Sequence, residues 1–164
     1  MPLELPLHAH AGARALVLLH ERHLRRCVAT WQRAVAAEVV LPTTDDDCYA
    51  SLGHLGVHIL GSARHYMAWC CEKLELSHPG FSLTPPPDEI VSKASADLEH
   101  VLERWRSPLA NVPPERFEDR EYASAWKELF TIDSMLEHAV MHPVRHEFQL
   151  LELMGEDAAL RSST

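Results

Sequence analysis

Three histidines, His138, His142 and His146, stand four residues apart in the run Leu136-Glu137-His138-Ala139-Val140-Met141-His142-Pro143-Val144-Arg145-His146-Glu147-Phe148-Gln149. In a helix, residues four apart share one side, with Cβ atoms about 5–6 Å from each other. Two imidazoles at that spacing can close on one metal ion, because the neutral ring nitrogen is a preferred ligand for zinc, nickel, copper and iron. A second stretch of helical character carries His54, His58 and His65. The chain holds 12 histidines in 164 residues, and their bunching on these two stretches calls for a chemical reason.

At 100° per residue the apolar stripe of the C-terminal helix is Ile132, Met135, Leu136, Ala139, Pro143, Leu150 and Leu153. His142 and His146 fall inside that stripe and His138 at its edge. The stripe of the earlier helix is Leu52, Leu55, Ile59, Ala63, Tyr66 and Cys70. His58 borders it, whereas His54 and His65 lie toward solvent. The inward set is therefore His58, His142 and His146. Each buried ring nitrogen left without a partner costs about 1–3 kcal/mol. One divalent ion would satisfy all three rings and keep positions open for water or substrate, as catalytic sites do. Separate core histidines, bonded to backbone or water, are the alternative. Pro143 cannot donate to the carbonyl of Ala139, so a loosening of the helix there would help aim the two rings. Glu147 and Gln149 flank a ligand and could orient it. His138 and His54 could serve as acid–base groups beside the ligands but read better as surface residues, and His20, on the first helix's apolar stripe, could reach the site but reads better as an ordinary core histidine.

The elements that must hold these residues are all helical. Val17, His20, Leu24, Cys27, Val28, Trp31 and Val35 repeat at helical spacing and predict a first helix over about 11–40, ended by Leu41-Pro42. Thr43 to Asp47 offer caps for a second helix over about 48–76. Gly53, Gly56 and Gly61 lower its propensity and would let a neighbour approach closely. Residues 77–87 form a proline-rich loop, and a third helix runs over about 88–106. The stretch 107–130 reads as a long loop whose aromatics cover one end of the fold, with a possible lid role. The last helix spans about 131–154, with Thr131 as N-cap and Gly155 as stop. The fold class is all-α, a four-helix bundle, with a single domain over 1–155 and a tail over 156–164.

Net charge is -9 with histidine neutral, against a nucleic-acid partner, which would call for a basic face. No charged-then-apolar leader and no apolar run near 18 residues is visible, so neither secretion nor membrane insertion is expected, and the cytoplasm is the expected location. Cys27, Cys48, Cys70 and Cys71 form no CxxC pair and read as reduced thiols in small apolar positions. HExxH is missing, since Pro143 stands in the place of its glutamate. Di-iron chemistry needs two Glu-x-x-His motifs, and only Glu75 to His78 has that spacing.

His58 within Leu55-Gly56-Val57-His58-Ile59-Leu60, the pair His142 and His146, and Gln149 three residues further on together resemble the DinB-like (YfiT-like) superfamily of bacterial four-helix-bundle metalloproteins. The order and length of the helices match as well, over nearly the whole chain. One difference is local: the family often has Arg-Gly before the glutamine, where this chain has Glu147-Phe148. The resemblance implies one divalent metal, zinc or nickel, on His58, His142 and His146. It also implies a homodimer and a small-molecule substrate, with transfer of a low-molecular-weight thiol such as bacillithiol or mycothiol as the reaction. A metal-bearing protein without catalysis, active in stress responses, and a metal-dependent hydrolase stand as alternatives.

Overall fold

The apolar repeat of residues 11–36 becomes a 26-residue helix, α1 (Ala11–Ala36), that buries Val17, His20, Leu24, Cys27, Val28 and Trp31 along one side. The structure is a computed structural model, and it describes residues 5–156. A short 3-10 turn, Asp47–Tyr49, precedes α2 (Leu52–Lys73). Then come α3 (Ile90–Trp105), a second 3-10 turn (Pro114–Arg116), strands β1 (Tyr122–Ala123) and β2 (Leu129–Phe130), and α4 (Ile132–Leu153). The described residues are all-α apart from one small antiparallel pair, in which Tyr122 faces Phe130 and Ala123 faces Leu129. No described helix is long and apolar enough to cross a membrane.

Helix ends follow local chemistry. Ser51 caps α2 by accepting from the His54 amide, and Thr131 caps α4 by accepting from the Ser134 amide. The second helix therefore starts at Leu52 instead of about Cys48, and Asp46 caps the 3-10 turn ahead of it. The first helix stops at Ala36, four residues short of the expected end. There Glu38 turns into the left-handed region at φ 50°, and the Val39 amide reaches back to the Ala34 carbonyl at 3.0 Å.

Each helix presents its stripe to a common core. α1 packs most extensively on α4, α4 meets α2, α2 meets α3, and α3 returns to α1. Trp31, Trp105, Phe117, Leu55, Ile59 and Met67 are among the side chains fully enclosed there. Two indole N–H groups stitch the core: Trp31 donates to the Leu52 carbonyl at 2.7 Å and Trp105 to the Ala63 carbonyl at 2.9 Å. Arg64 of α2 and Asp97 of α3 form a buried ion pair. Leu153, expected on the buried stripe, is 42% exposed, and its neighbour Met154 packs against the core instead.

The stretch 107–130 is not a bare loop. Leu109 and Phe117 enter the core, and the β1–β2 hairpin stands beside α2, where Trp69 donates to the Ala123 carbonyl at 3.2 Å. Trp126, at the hairpin tip, is partly exposed. Glu156, read as tail, pairs with Arg33 of α1, and the remainder of the tail lies outside the described residues. All four cysteines are free thiols, with Cys27, Cys70 and Cys71 buried and Cys48 half-buried.

Candidate metal centre

His58 sits in the first third of α2, and His142 and His146 lie one turn apart on α4, where the two helices pack together. Spacing alone puts the α4 pair on one side. The contact between the helices brings the third ring to them. The Nε2 atoms of His142 and His58 are 3.0 Å apart, and those of His146 and His142 are 3.3 Å apart. One ligand atom from each of the three rings lies within 4.8 Å of the other two. Nitrogen donors bind zinc at about 2.0–2.1 Å, so two of them on one ion stand about 2.9 Å apart at a right angle and about 3.3 Å apart at the tetrahedral angle. Two of the three separations fall on those values, the whole set lies within 4.8 Å, and three imidazoles are a donor set that divalent transition metals accept.

The protonation state fits the same use. His142 is buried and its pKa is pushed down to about 2, by burial first and then by the His146 and His58 rings. Burial, then the His58 ring, lowers His146 to about 4. Half-buried His58 is lowered too, through burial. Neutral rings offer lone pairs at pH 7 without first losing a proton. In His146 the tautomer is settled by a neighbour: Nδ1–H donates to Gln149 Oε1 at 3.1 Å, which leaves Nε2 bare toward the other rings. Gln149 Oε1 also accepts from the Tyr49 hydroxyl at 3.2 Å, so the 3-10 turn before α2 helps position an α4 ring.

The three rings border an open cleft of about 470 Å³ that also takes in Tyr49, Ser62, Tyr66, Trp126, Arg145 and Gln149. Tyr66 meets the His142 ring edge-on at 5.6 Å between centroids. Trp126 lies 5.6 Å from the His138 ring and 6.4 Å from Tyr66, so the hairpin tip walls one side. Among the described residues no Asp or Glu lines the cleft. The carboxylate of Asp46 is felt by His58 and His146 from outside it, while accepting from the Cys48 amide at 2.9 Å.

The other candidates separate cleanly. Gln149 orients a ring, as its position suggests. Glu147 does not, for its carboxylate reaches Arg26 of α1 at 3.1 Å. His138 is half-buried among Tyr66, Trp126 and Phe130. His54 stays at the helix start, bonded to Ser51. His65 is exposed, at the rim of the cleft. His20 is far into the core, stacked on Trp105. Pro143 is buried within α4 and does not end it. Tyr49, Tyr66, Trp126 and Arg145 were missed as site residues. Helical spacing would have found Ser62 and Tyr66, four and eight residues after His58, but nothing local in the sequence points to Tyr49 or Trp126. No family model, no curated protein and no solved structure matches the chain.

Proposed function

We propose that this chain is a DinB-like four-helix-bundle metalloprotein that holds one zinc or nickel ion on His58, His142 and His146 and uses it to transfer a low-molecular-weight thiol to an electrophilic small molecule. The observation that carries the proposal is the convergence of three bare or bareable Nε2 atoms at 3.0 and 3.3 Å on the edge of an open cleft. A divalent ion bound there supplies Lewis acidity, which lowers the pKa of a thiol and raises the share of nucleophilic thiolate at neutral pH. In the transfer, the thiol loses its proton to solvent, sulfur bonds to the electrophilic carbon, and the leaving group departs with the electron pair of the broken bond.

The chain's own part is placement. Gln149 keeps His146 in one tautomer, and Tyr49 keeps Gln149 in place. Burial keeps His142 unprotonated well below neutral pH. Tyr66 and Trp126 give the cleft an apolar wall that shields an electrophile from water. Three protein donors leave room for an exogenous sulfur, whereas a closed four-donor site would not.

Metal analysis of the full chain, purified without a histidine tag, tests the reading. About one zinc or nickel per chain is expected, and none in His142→Ala. Metal-loaded protein is then assayed with bacillithiol, mycothiol or glutathione against monochlorobimane. Conjugation no faster than with His142→Ala would refute the transferase, and a metal-free parent that takes up no added ion would refute the site.

A further inference from the structure

The cleft holds a cation as well as imidazoles. Arg145 precedes His146 on α4 and lines the cleft. Its charge reaches the phenols of Tyr49 and Tyr66 and the ring of His138. Arg25, Arg26, Arg33, Arg64 and Arg106 each meet a carboxylate. Among the described residues Arg145 meets none, nor do Arg14, Arg22 and Arg104, but of these four only Arg145 lines the cleft. An exposed guanidinium on the lining of a cleft whose described lining residues include no carboxylate is open to an anion brought from outside.

We propose that Arg145 reads the charge of the substrate, and that the cleft takes a small organic carboxylate with an apolar or aromatic body. The planar fork of one guanidinium matches a carboxylate through two parallel hydrogen bonds. A phosphate or sulfate ester would call for further donors, such as a lysine or the free amides of a helix start. Among the described residues no lysine lines the cleft and Arg145 lies within α4 away from its start, so one guanidinium is the fixed cation there and suits a singly charged anion. Trp126, 41% exposed and edge to face with the buried Tyr66, supplies the surface for the apolar body. The cleft, at about 470 Å³, is of the size that small-molecule sites have. With the carboxylate on Arg145, the rest of the molecule lies along the α4 side next to the His142 and His146 rings. This deepens the metal-site reading and rests on it for what happens to the substrate, whereas binding of the anion needs only Arg145 and the aromatic wall.

The test is calorimetric titration of the full chain, metal-free and cobalt(II)-loaded, with phenylacetate and with phenylacetamide, its neutral isostere. The acid is expected to bind about tenfold tighter than the amide, the difference between a charged and a neutral hydrogen-bond partner. In Arg145→Gln that preference is expected to vanish, while cobalt stoichiometry and the visible spectrum of the bound cobalt stay as in the parent. Equal affinities in the parent, or no binding of the acid, would overturn the proposal. So would a preference that survives in Arg145→Gln, because the charge would then be read by the cation. If no cobalt binds, the metal reading fails by itself. The comparison of acid with amide in metal-free protein then decides on Arg145: a preference lost in Arg145→Gln supports it, and the absence of one overturns it.

Discussion

His20 and His142 are both buried imidazoles held neutral, yet only one is placed for chemistry. His142 faces two other rings at an open cleft. His20 lies flat on Trp105, 3.7 Å between centroids, and neither of its nitrogens has a hydrogen-bond partner. Burial, and then the charge of His23, lowers His20 from the ordinary 6.5 to about 3. The folded-state pKa is below the unfolded one, so between the two values the unfolded chain binds more protons. The contribution to stability is whole above pH 6.5 and is lost as pH falls toward about 3. One ring accounts for about 1.4 kcal/mol per pH unit over that range. His142, His146 and His58 act in the same direction in the metal-free chain. Comparing His20→Leu with the parent isolates the one ring. At pH 7.5 the variant is expected to be at least as stable, since Leu removes two unpartnered nitrogens at about 1–3 kcal/mol each against about 0.5–1.5 kcal/mol of stacking. Between pH 6.5 and 5 its advantage should grow by about 2 kcal/mol. Urea unfolding at several pH values reads this directly, and parallel curves for the two proteins would disprove it.

At the scale of elements, glycines and helix ends show where local signals suffice and where the neighbours decide. α1, α2 and α4 all end alike, with a left-handed residue followed by an amide that reaches back five residues: Val39 to Ala34, Leu76 to Cys71 and Glu156 to Leu151. The left-handed residue is Gly155 after α4 but Glu38 and Glu75 after α1 and α2. Only the glycine announces its stop in the sequence, and the other two helices end earlier than their apolar spacing suggests, at Ala36 and Lys73. The glycines of α2 look alike in sequence and differ in space. A Cβ on Gly56 would lie 2.5 Å from the Trp31 ring, whereas one on Gly61 would meet only Thr84 Oγ1, at 3.6 Å. Gly56 is thus where α1 and α2 touch, held further by the Trp31 bond to Leu52. Gly56→Ala is expected to lose about 1–3 kcal/mol by overpacking. Gly61→Ala is expected to gain about 0.5–1 kcal/mol through helix propensity. Denaturation midpoints of the two single variants should move in opposite directions. A shift of the same sign in both would show that the close approach to Trp31 does not govern this contact.

For the whole molecule, the sequence made the helices and the inward histidines legible because both rest on one periodicity of about 3.6 residues. The walls of the cleft were not legible, since they arise where segments distant in sequence meet. Tyr49 reaches Gln149 across 100 positions, and Trp126 sits in the turn between strands two residues long, too short to alternate visibly. The site thus joins α2, α4, the turn before α2 and the hairpin, and an ion on His58 and the α4 pair would clamp α2 to α4 directly. That makes metal binding a stability experiment. A ligand present at about 100 times its Kd and bound only by the folded state adds about 2.7 kcal/mol. In a domain of this size each kcal/mol raises Tm by about 2–4 °C, so zinc or nickel should raise it by about 5–10 °C. A chelator should reverse the shift. Magnesium, which prefers oxygen ligands, should leave Tm unchanged. His142→Ala should melt at one temperature with or without zinc, and an equal zinc shift in that variant and the parent would move the ion away from this cleft. Because the same three rings must be neutral to bind, the shift should shrink on acidification as protons compete for the ring nitrogens.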